Sequence, residues 1–427
     1  MEKEKILALI HREVVPALGC TEPIAVALAS AAAVETLGRE PEYLEVTASP
    51  NLLKNGMGVI VPGTGQAGLQ IAAAVGACGG KSALGLECLR DLTDAQVEKG
   101  RQMLRDDKVK LGVADNGLLL YCSVLARAGN DAARAEIRDS HANLCAISRN
   151  GAIVFAKPVE QETQAGDADW PLSLREIQQF ATQTPLADID FILEAAAMNR
   201  QVAEEGLKNS YGLAVGKSMA EQVSANVLAD DMATFAVRLT AAASDARMAG
   251  VKLPVMSNSG SGNQGVVCTM PVVACAMRLK RTEEELARAL ILSHLVAIHI
   301  KHYLGRLSAH CGVVIAATGA SCGITQLMGG GYAEIENAVR NMIGNIAGMI
   351  CDGAKSSCAL KVASGVSAGI QAALLAMRGA SVPGSDGIVE DDIEACIANL
   401  GKLGSDGMRE TDRMILEIML NKKQRAS

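Results

Sequence analysis

The chain has 427 residues, too long for one small core, and is 49% hydrophobic with only 2% aromatic residues, so its interior must be built from Ala, Val, Leu, Ile and Met. That composition favours closely packed helices over an aromatic-rich β-sandwich. A net charge of −7 with no Lys/Arg cluster argues against a nucleic-acid partner, and MEKEKILALIHREVV at the N-terminus has neither the layout nor the cleavage site of an export signal, which points to a cytoplasmic protein.

In chain order, residues 3–38 read as helices: ILALIHREVVPAL, a break at Gly19, and a run from Pro23 to Leu37 with Pro23 in its first turn. From residue 41 the pattern changes to β-like runs bounded by Gly, Pro, Asn and Asp: YLEVTASP, GMGVIVPG, KVKLGVA, LLLYCSVLARAG, ARAEIRDSHANLCAISRNG and AIVFAKP. IAAAVGACGG and DAQVEKGRQMLRD between them read as helices. The polar stretch ETQAGDADWPLS, residues 162–173, marks a domain boundary, and helical periodicity dominates from 174 onward. The predicted class is therefore α+β, a mainly helical domain with a smaller mixed α/β-sheet module. Residues 1–40 form N-terminal helices packed on the larger domain, 41–165 the α+β module, and 166–427 the mainly helical domain. Two uncharged stretches, 253–277 and 311–333, are broken by polar and Gly residues and do not read as membrane spans.

Twelve cysteines in a chain of this kind are core filler or functional thiols rather than a disulfide framework. Cys78, Cys88, Cys122, Cys145, Cys275 and Cys396 sit in Ala/Val/Leu contexts and read as filler. MICDGAKSSCALK differs. On an unbroken helix Cys351 and Cys358 would lie about 10 Å apart along the axis. The turn signal Asp352-Gly353 and the pair Ser356-Ser357 instead suggest a loop over 352–357 that lets both sulfurs converge. Cys311, beside a helix break at Gly312, supplies a third thiol, and three soft ligands suit zinc or an iron–sulfur cluster. Three thiolates on a cubane cluster leave one iron open, which favours Lewis-acid catalysis over electron transfer.

Three further stretches carry chemistry. SNSGSGNQG, residues 257–265, combines the donors Ser257, Asn258, Ser259, Ser261, Asn263 and Gln264 with Gly260 and two other glycines, and it precedes an apolar run. It reads as a helix cap that binds an anion or carboxylate. In ALGCTEPIAVALA, Cys20 stands where a helix begins, a position that lowers a thiol's pKa; a core-facing loop cysteine is the bland alternative. SPNLLKNGMGVIVPGTG, residues 49–65, places Asn51, Lys54 and Asn55 between strands, as a plain connection or another edge of the site. His294, His299, His302 and His310 leave a mixed His/Cys zinc site open.

Together GCTEPIA, SPNLLKNGMGVIVPG, SNSGSGNQG, SAHCG and CDGAKSSC resemble the L-cysteine desulfidase family, itself similar to the α-chain of iron–sulfur L-serine dehydratases. The resemblance runs from Cys20 to Cys358, and its most specific element is the spacing of 40 residues from Cys311 to Cys351 and seven from there to Cys358. It implies a 4Fe–4S cluster held by Cys311, Cys351 and Cys358, no pyridoxal phosphate, and conversion of L-cysteine to pyruvate, ammonia and hydrogen sulfide. Cys20 matches the family's further thiol, which acts as a base or caps the open iron at rest; Lys54 is a second candidate base. Asn51, Asn55 and the 257–265 loop would bind a small amino-acid substrate, with no nucleic-acid or membrane partner and a homodimeric assembly expected. L-Serine is the alternative substrate. A non-catalytic iron–sulfur sensor and a zinc-stabilised protein are the rivals of other classes.

Overall fold

The computed structural model describes residues 3–157, 172–305 and 308–425, and its elements build two cores. The boundary expected at 162–173 falls almost wholly on residues outside those described. Helix α1 (Lys3–Glu13) is followed by strand β1 (Pro16–Leu18) and then α2 (Thr21–Leu37). PAL was expected to be helical. Pro16 has no N–H and biases Val15 away from helical backbone, so α1 ends at Glu13 and PAL extends into a strand. Helix α2 starts two residues ahead of Pro23, with Cys20 as its N-cap.

The sheet module comprises β2 (Tyr43–Ala48), α3 (Pro50–Gly56), α4 (Leu69–Gly79), α5 (Asp94–Arg105), β3 (Val109–Val113), β4 (Tyr121–Ala128), β5 (Asp131–Arg138), β6 (Leu144–Arg149) and β7 (Ala152–Ala156). Its strand order is β3-β2-β4-β5-β6-β7. β2 and β3 are parallel, linked by the crossover through α3 to α5, and the remaining pairs are antiparallel. Asn150 and Gly151, at φ +49° and +83°, make the two-residue turn between β6 and β7. GMGVIVPG, expected as a strand, is not one: α3 runs through Gly56 and only an isolated bridge joins Ile60 to Ala67. Leu52, Leu53 and Lys54 of α3 are all buried, consecutive side chains facing the interior from a helix in the stretch read as a connection.

The helical domain comprises α6 (Leu174–Gln183), α7 (Leu193–Lys208), α8 (Val215–Ser224), α9 (Met232–Met248), β8 (Pro254–Met256), α10 (Gly262–Leu279), α11 (Glu283–Leu304), α12 (Gly312–Leu327), α13 (Tyr332–Ile346), α14 (Cys358–Ala376), α15 (Ile393–Lys402) and α16 (Arg409–Arg425). The α+β class and the helical majority expected from the sequence hold. Helices α10, α11 and α12 are buried on nearly every side, which their Ala, Val, Ile and Cys content allows. The N-terminal helices divide between the cores: Ile6, Leu9 and Ile10 of α1 join the helical core, while Ile24, Val26 and Leu28 of α2 pack under the sheet. By length and composition α14 is the one described helix that could cross a bilayer, and half of that stretch is buried in the protein.

Small residues set how closely the central helices approach. A Cβ at Gly319 of α12 would stand 2.2 Å from the Ser293 carbonyl oxygen of α11. Gly319→Ala should therefore lower stability by about 1–3 kcal/mol, read as a lower denaturant midpoint with an unchanged slope.

Candidate active site

The site is assembled by a short two-stranded ribbon. β1 pairs antiparallel with β8, Pro16 opposite Met256 and Leu18 opposite Pro254, so the chain leaving β8 runs back beside the segment that enters β1. The ribbon continues through Ser257 N–H and Oγ, which both donate to Val15 O at 2.9 and 2.6 Å, and Ser259 N–H, which donates to Glu13 O at 2.9 Å. Ser259 and Gly260, at φ +47° and +77°, turn the chain into α10, whose N-cap Ser261 accepts from Gln264 N–H at 3.3 Å. The expected helix cap is present. Thr21 Oγ1 then donates to Gly260 O at 2.8 Å, joining the start of α2 to the start of α10.

The 257–265 loop does not present all its side chains outward. Asn258 Nδ2 meets His294 Nδ1 at 3.0 Å and His294 O at 3.2 Å, while its Oδ1 accepts from Ser259 Oγ at 2.9 Å and Gln264 Nε2 at 2.8 Å. Ser257, Asn258 and Gln264 are buried struts; Ser259, Gly260, Ser261 and Asn263 are half-exposed. His294, pushed down to about 3 by burial, is a neutral brace that also meets Thr269 Oγ1 at 3.1 Å. His299 Nε2 meets Glu394 Oε2 at 2.7 Å, and His310 Nε2 meets Ala347 O at 2.6 Å, so these histidines are held at separate places rather than as a zinc cage.

Cys311, Cys351 and Cys358 come together through a bridge and a loop. An isolated antiparallel bridge between His310 and Ile350, with Cys311 N–H donating to Met349 O at 3.0 Å and Cys351 N–H to Ala309 O at 2.6 Å, sets the first two cysteines side by side. Residues 352–357 form the expected loop, and Cys358 opens α14. Gly353, at φ +91°, lies so close to α3 that a Cβ there would be 2.5 Å from Lys54 O, and Ala354 N–H donates to Asn55 O at 3.3 Å. Asp352 ties the loop through ion pairs with Lys355 and Lys361, each at 2.5 Å. Burial pushes the Cys311 thiol up to about 12, and the neighbouring Cys351 and Cys358 push in the same direction. Cys358 is raised by burial and again by Cys351.

Each part touches the next. A Cβ at Gly312 would lie 3.0 Å from Gln264 Oε1, linking α12 to α10, while Cys358 and Ala354 pack against the small apolar cluster of Cys20, Val59 and Met248. The N-termini of α2, α10, α12 and α14 thus converge, and the positive ends of their dipoles favour thiolate and carboxylate at this one place. Among the described residues no three His, Cys, Asp or Glu side chains close around a single metal ion. The irons of a cubane cluster occupy separate corners and so require thiolates that stand apart, which is the donor set that three mutually interacting cysteines supply.

A model of the family described as serine dehydratase alpha chain matches residues 83–417. The chain belongs to that family. It is also 58% identical over 423 residues, 99% of both chains, to a UPF0597 protein of Oleidesulfovibrio alaskensis. UPF0597 proteins of Parabacteroides distasonis (48% over 423 residues, 98% of both chains) and Aeromonas hydrophila (50% over 421 residues, 98% of this chain and 96% of the relative) are similar along their whole lengths as well.

In this serine dehydratase family member, Cys20 is not the low-pKa thiol its helix position suggested. Burial, then the Glu22 carboxylate, push it well above the ordinary thiol range, and its Sγ donates to Glu22 Oε2 at 2.8 Å. A helix dipole worth under about 1 kcal/mol does not outweigh burial beside an anion. Burial works against ionisation of Glu22 too, yet His141, the Cys20 thiol and Arg247 outweigh it and hold its carboxyl below the usual range. Lys54 is 1% exposed, and its Nζ is ion-paired with Asp412 of α16, which suits an anchor rather than a free base. Asn55 keeps a buried Oδ1 without a hydrogen-bond partner, while Asn51 is half-exposed at the start of α3.

Sequence reasoning missed Glu22, His141 and Arg247 as site residues. His141, from the turn between β5 and β6, stands 3.9 Å by its Nε2 from Glu22 Oε1. Arg247 Nη2 donates to Gly19 O at 2.8 Å and Nη1 to Asn263 Oδ1 at 3.1 Å. Its signal was a single arginine among the small residues of TAAASDARMAG. The Lys54–Asp412 pair gives a direct test. Asp412→Ala leaves a buried ammonium unpaired and should cost about 3 kcal/mol in chemical denaturation, whereas Asp412→Glu should recover most of it.

Proposed function

We propose that this protein is a lyase independent of pyridoxal phosphate that converts L-cysteine to pyruvate, ammonia and hydrogen sulfide, with a 4Fe–4S cluster on Cys311, Cys351 and Cys358. The observation that carries the reading is the meeting of these three thiols at the starts of α12 and α14, beside the start of α10. When bound there, a cluster held by three thiolates supplies an open, Lewis-acidic iron to the substrate's leaving group or carboxylate. Membership of the serine dehydratase family favours L-serine as a second reading, with hydroxide as the leaving group.

The chain's own residues account for the remaining steps. The first turn of α10, with Ser259, Gly260, Ser261 and Asn263 around it, receives the α-carboxylate through N–H and side-chain donors. Asn258, Gln264 and Ser257 keep that turn rigid from behind. Asn55 turns its unpartnered Oδ1 to the α-ammonium, with Asn51 on the same short helix. Cys20 takes the α-proton as its own thiol proton passes to Glu22, along the 2.8 Å hydrogen bond between them. The electron pair left on Cα forms the double bond to Cβ, the C–S bond breaks, and hydrosulfide departs. The aminoacrylate tautomerises and is hydrolysed by water to pyruvate and ammonia. Lys54, paired with Asp412, fixes α3 against α16, and its backbone oxygen lies against Gly353 of the 352–357 loop.

Spectra and turnover of anaerobically reconstituted variants test the assignment. Cys351→Ala should lose the broad iron–sulfur absorbance and all sulfide release. Cys20→Ala should keep most of the absorbance and still release no sulfide. Full activity in Cys351→Ala would end the cluster reading.

A further inference from the structure

Arg247, near the end of α9, is 4% exposed, and its two hydrogen bonds go to neutral oxygens, Gly19 O and Asn263 Oδ1. Its Nε is buried with no hydrogen-bond partner. Among the described residues no carboxylate forms an ion pair with it: Glu22 feels its charge but is engaged by Cys20 and Thr21, and Asp245 Oδ2 accepts from Gly216 N–H at 3.0 Å. A second positive feature faces the guanidinium. Gly262 is the first residue of the 18-residue helix α10, and a Cβ there would stand 2.3 Å from Arg247 Nε. A buried cation pressed against the positive end of a helix, with one N–H unmet, is an arrangement that an anion completes.

We propose that Arg247 is the cation of an anion subsite, shared with the first turn of α10 and Asn263, that takes the α-carboxylate of the amino-acid substrate. Asn263 is half-exposed and marks the side from which a ligand enters; its Nδ2 has only the weak acceptor Met248 Sδ, 3.7 Å away, and is available to turn to a carboxylate. Gly262 is required because any side chain would displace the guanidinium. That the subsite takes an anion does not rest on the amino-acid lyase reading; that this anion is the substrate's α-carboxylate does.

L-Alanine and L-alaninamide separate the two questions, because neither has a β-leaving group and they differ in the carboxylate alone. Titration calorimetry on anaerobically reconstituted protein should show L-alanine binding at least about tenfold more tightly than the amide, as a charge-assisted contact implies. Arg247→Gln should remove that preference by weakening L-alanine alone, with the iron–sulfur absorbance retained. Arg247→Lys, which keeps the charge and covers the case of a misfolded glutamine variant, should reduce the preference several-fold because the planar fork is lost. A wild-type protein that binds both ligands alike overturns the proposal, as does an unchanged preference in either folded variant. Carboxylate preference without product from L-cysteine or L-serine would retain the subsite and remove the lyase reading; the reverse would remove the subsite alone.

Discussion

The pairing of β1 with β8 is the constraint on which the site depends. It is three residues long on each side, yet it joins the chain's first turns to the start of α10 and leaves Thr21 within a hydrogen bond of Gly260, 239 residues away. So short a ribbon has little stability of its own. It is held by its surroundings: Asn199 Oδ1 accepts from Met256 N–H at 2.8 Å, Ser257 donates to Val15, and Arg247 reaches Gly19 and Asn263 at once. Without the ribbon, Cys20 and Glu22 would belong to one core and the SNSGSGNQG loop to the other.

The electrostatics follow from that geometry. Four helices begin in one place, and around those beginnings stand thiols, a buried guanidinium and two lysines, Lys355 and Lys361, that share the one carboxylate of Asp352. Positive potential of this kind suits an anionic cluster and an anionic substrate. The buried carboxylate of Glu22 is set against Cys20 and accepts the hydrogen bond of its thiol. Cys20 is therefore held as a thiol, and in the proposed reaction it becomes a base only by handing its proton on, a different chemistry from the ready thiolate that its place at a helix start suggests.

Much of the scaffold was legible because Gly, Pro, Ser and Asn punctuate it. The helix cap at Ser261, the loop between Cys351 and Cys358 and the strands β2 to β7 all follow from local preference and spacing. What was not legible depends on partners far away in the chain. Lys54 reads as a free base until Asp412, 358 residues on, is seen to pair with it. Asn258 and Gln264 read as ligand donors until α11 packs behind them and His294 engages the asparagine. PAL and GMGVIVPG were misassigned because the first owes its strand form to pairing with β8, while the second is apolar for burial in an irregular segment. Glu22 was present in the quoted motif, but its role comes from the 2.8 Å contact with Cys20 and from a histidine supplied by the sheet module.

The central claim is β-elimination from L-cysteine at this convergence of helix starts. The most direct measurement is the release of sulfide and pyruvate from L-cysteine, with L-serine and D-cysteine in parallel, by protein reconstituted under anaerobic conditions without pyridoxal phosphate. The account predicts equal amounts of sulfide and pyruvate from L-cysteine, faster turnover than with L-serine, and none from D-cysteine. An intact iron–sulfur spectrum with no sulfide from L-cysteine would contradict it.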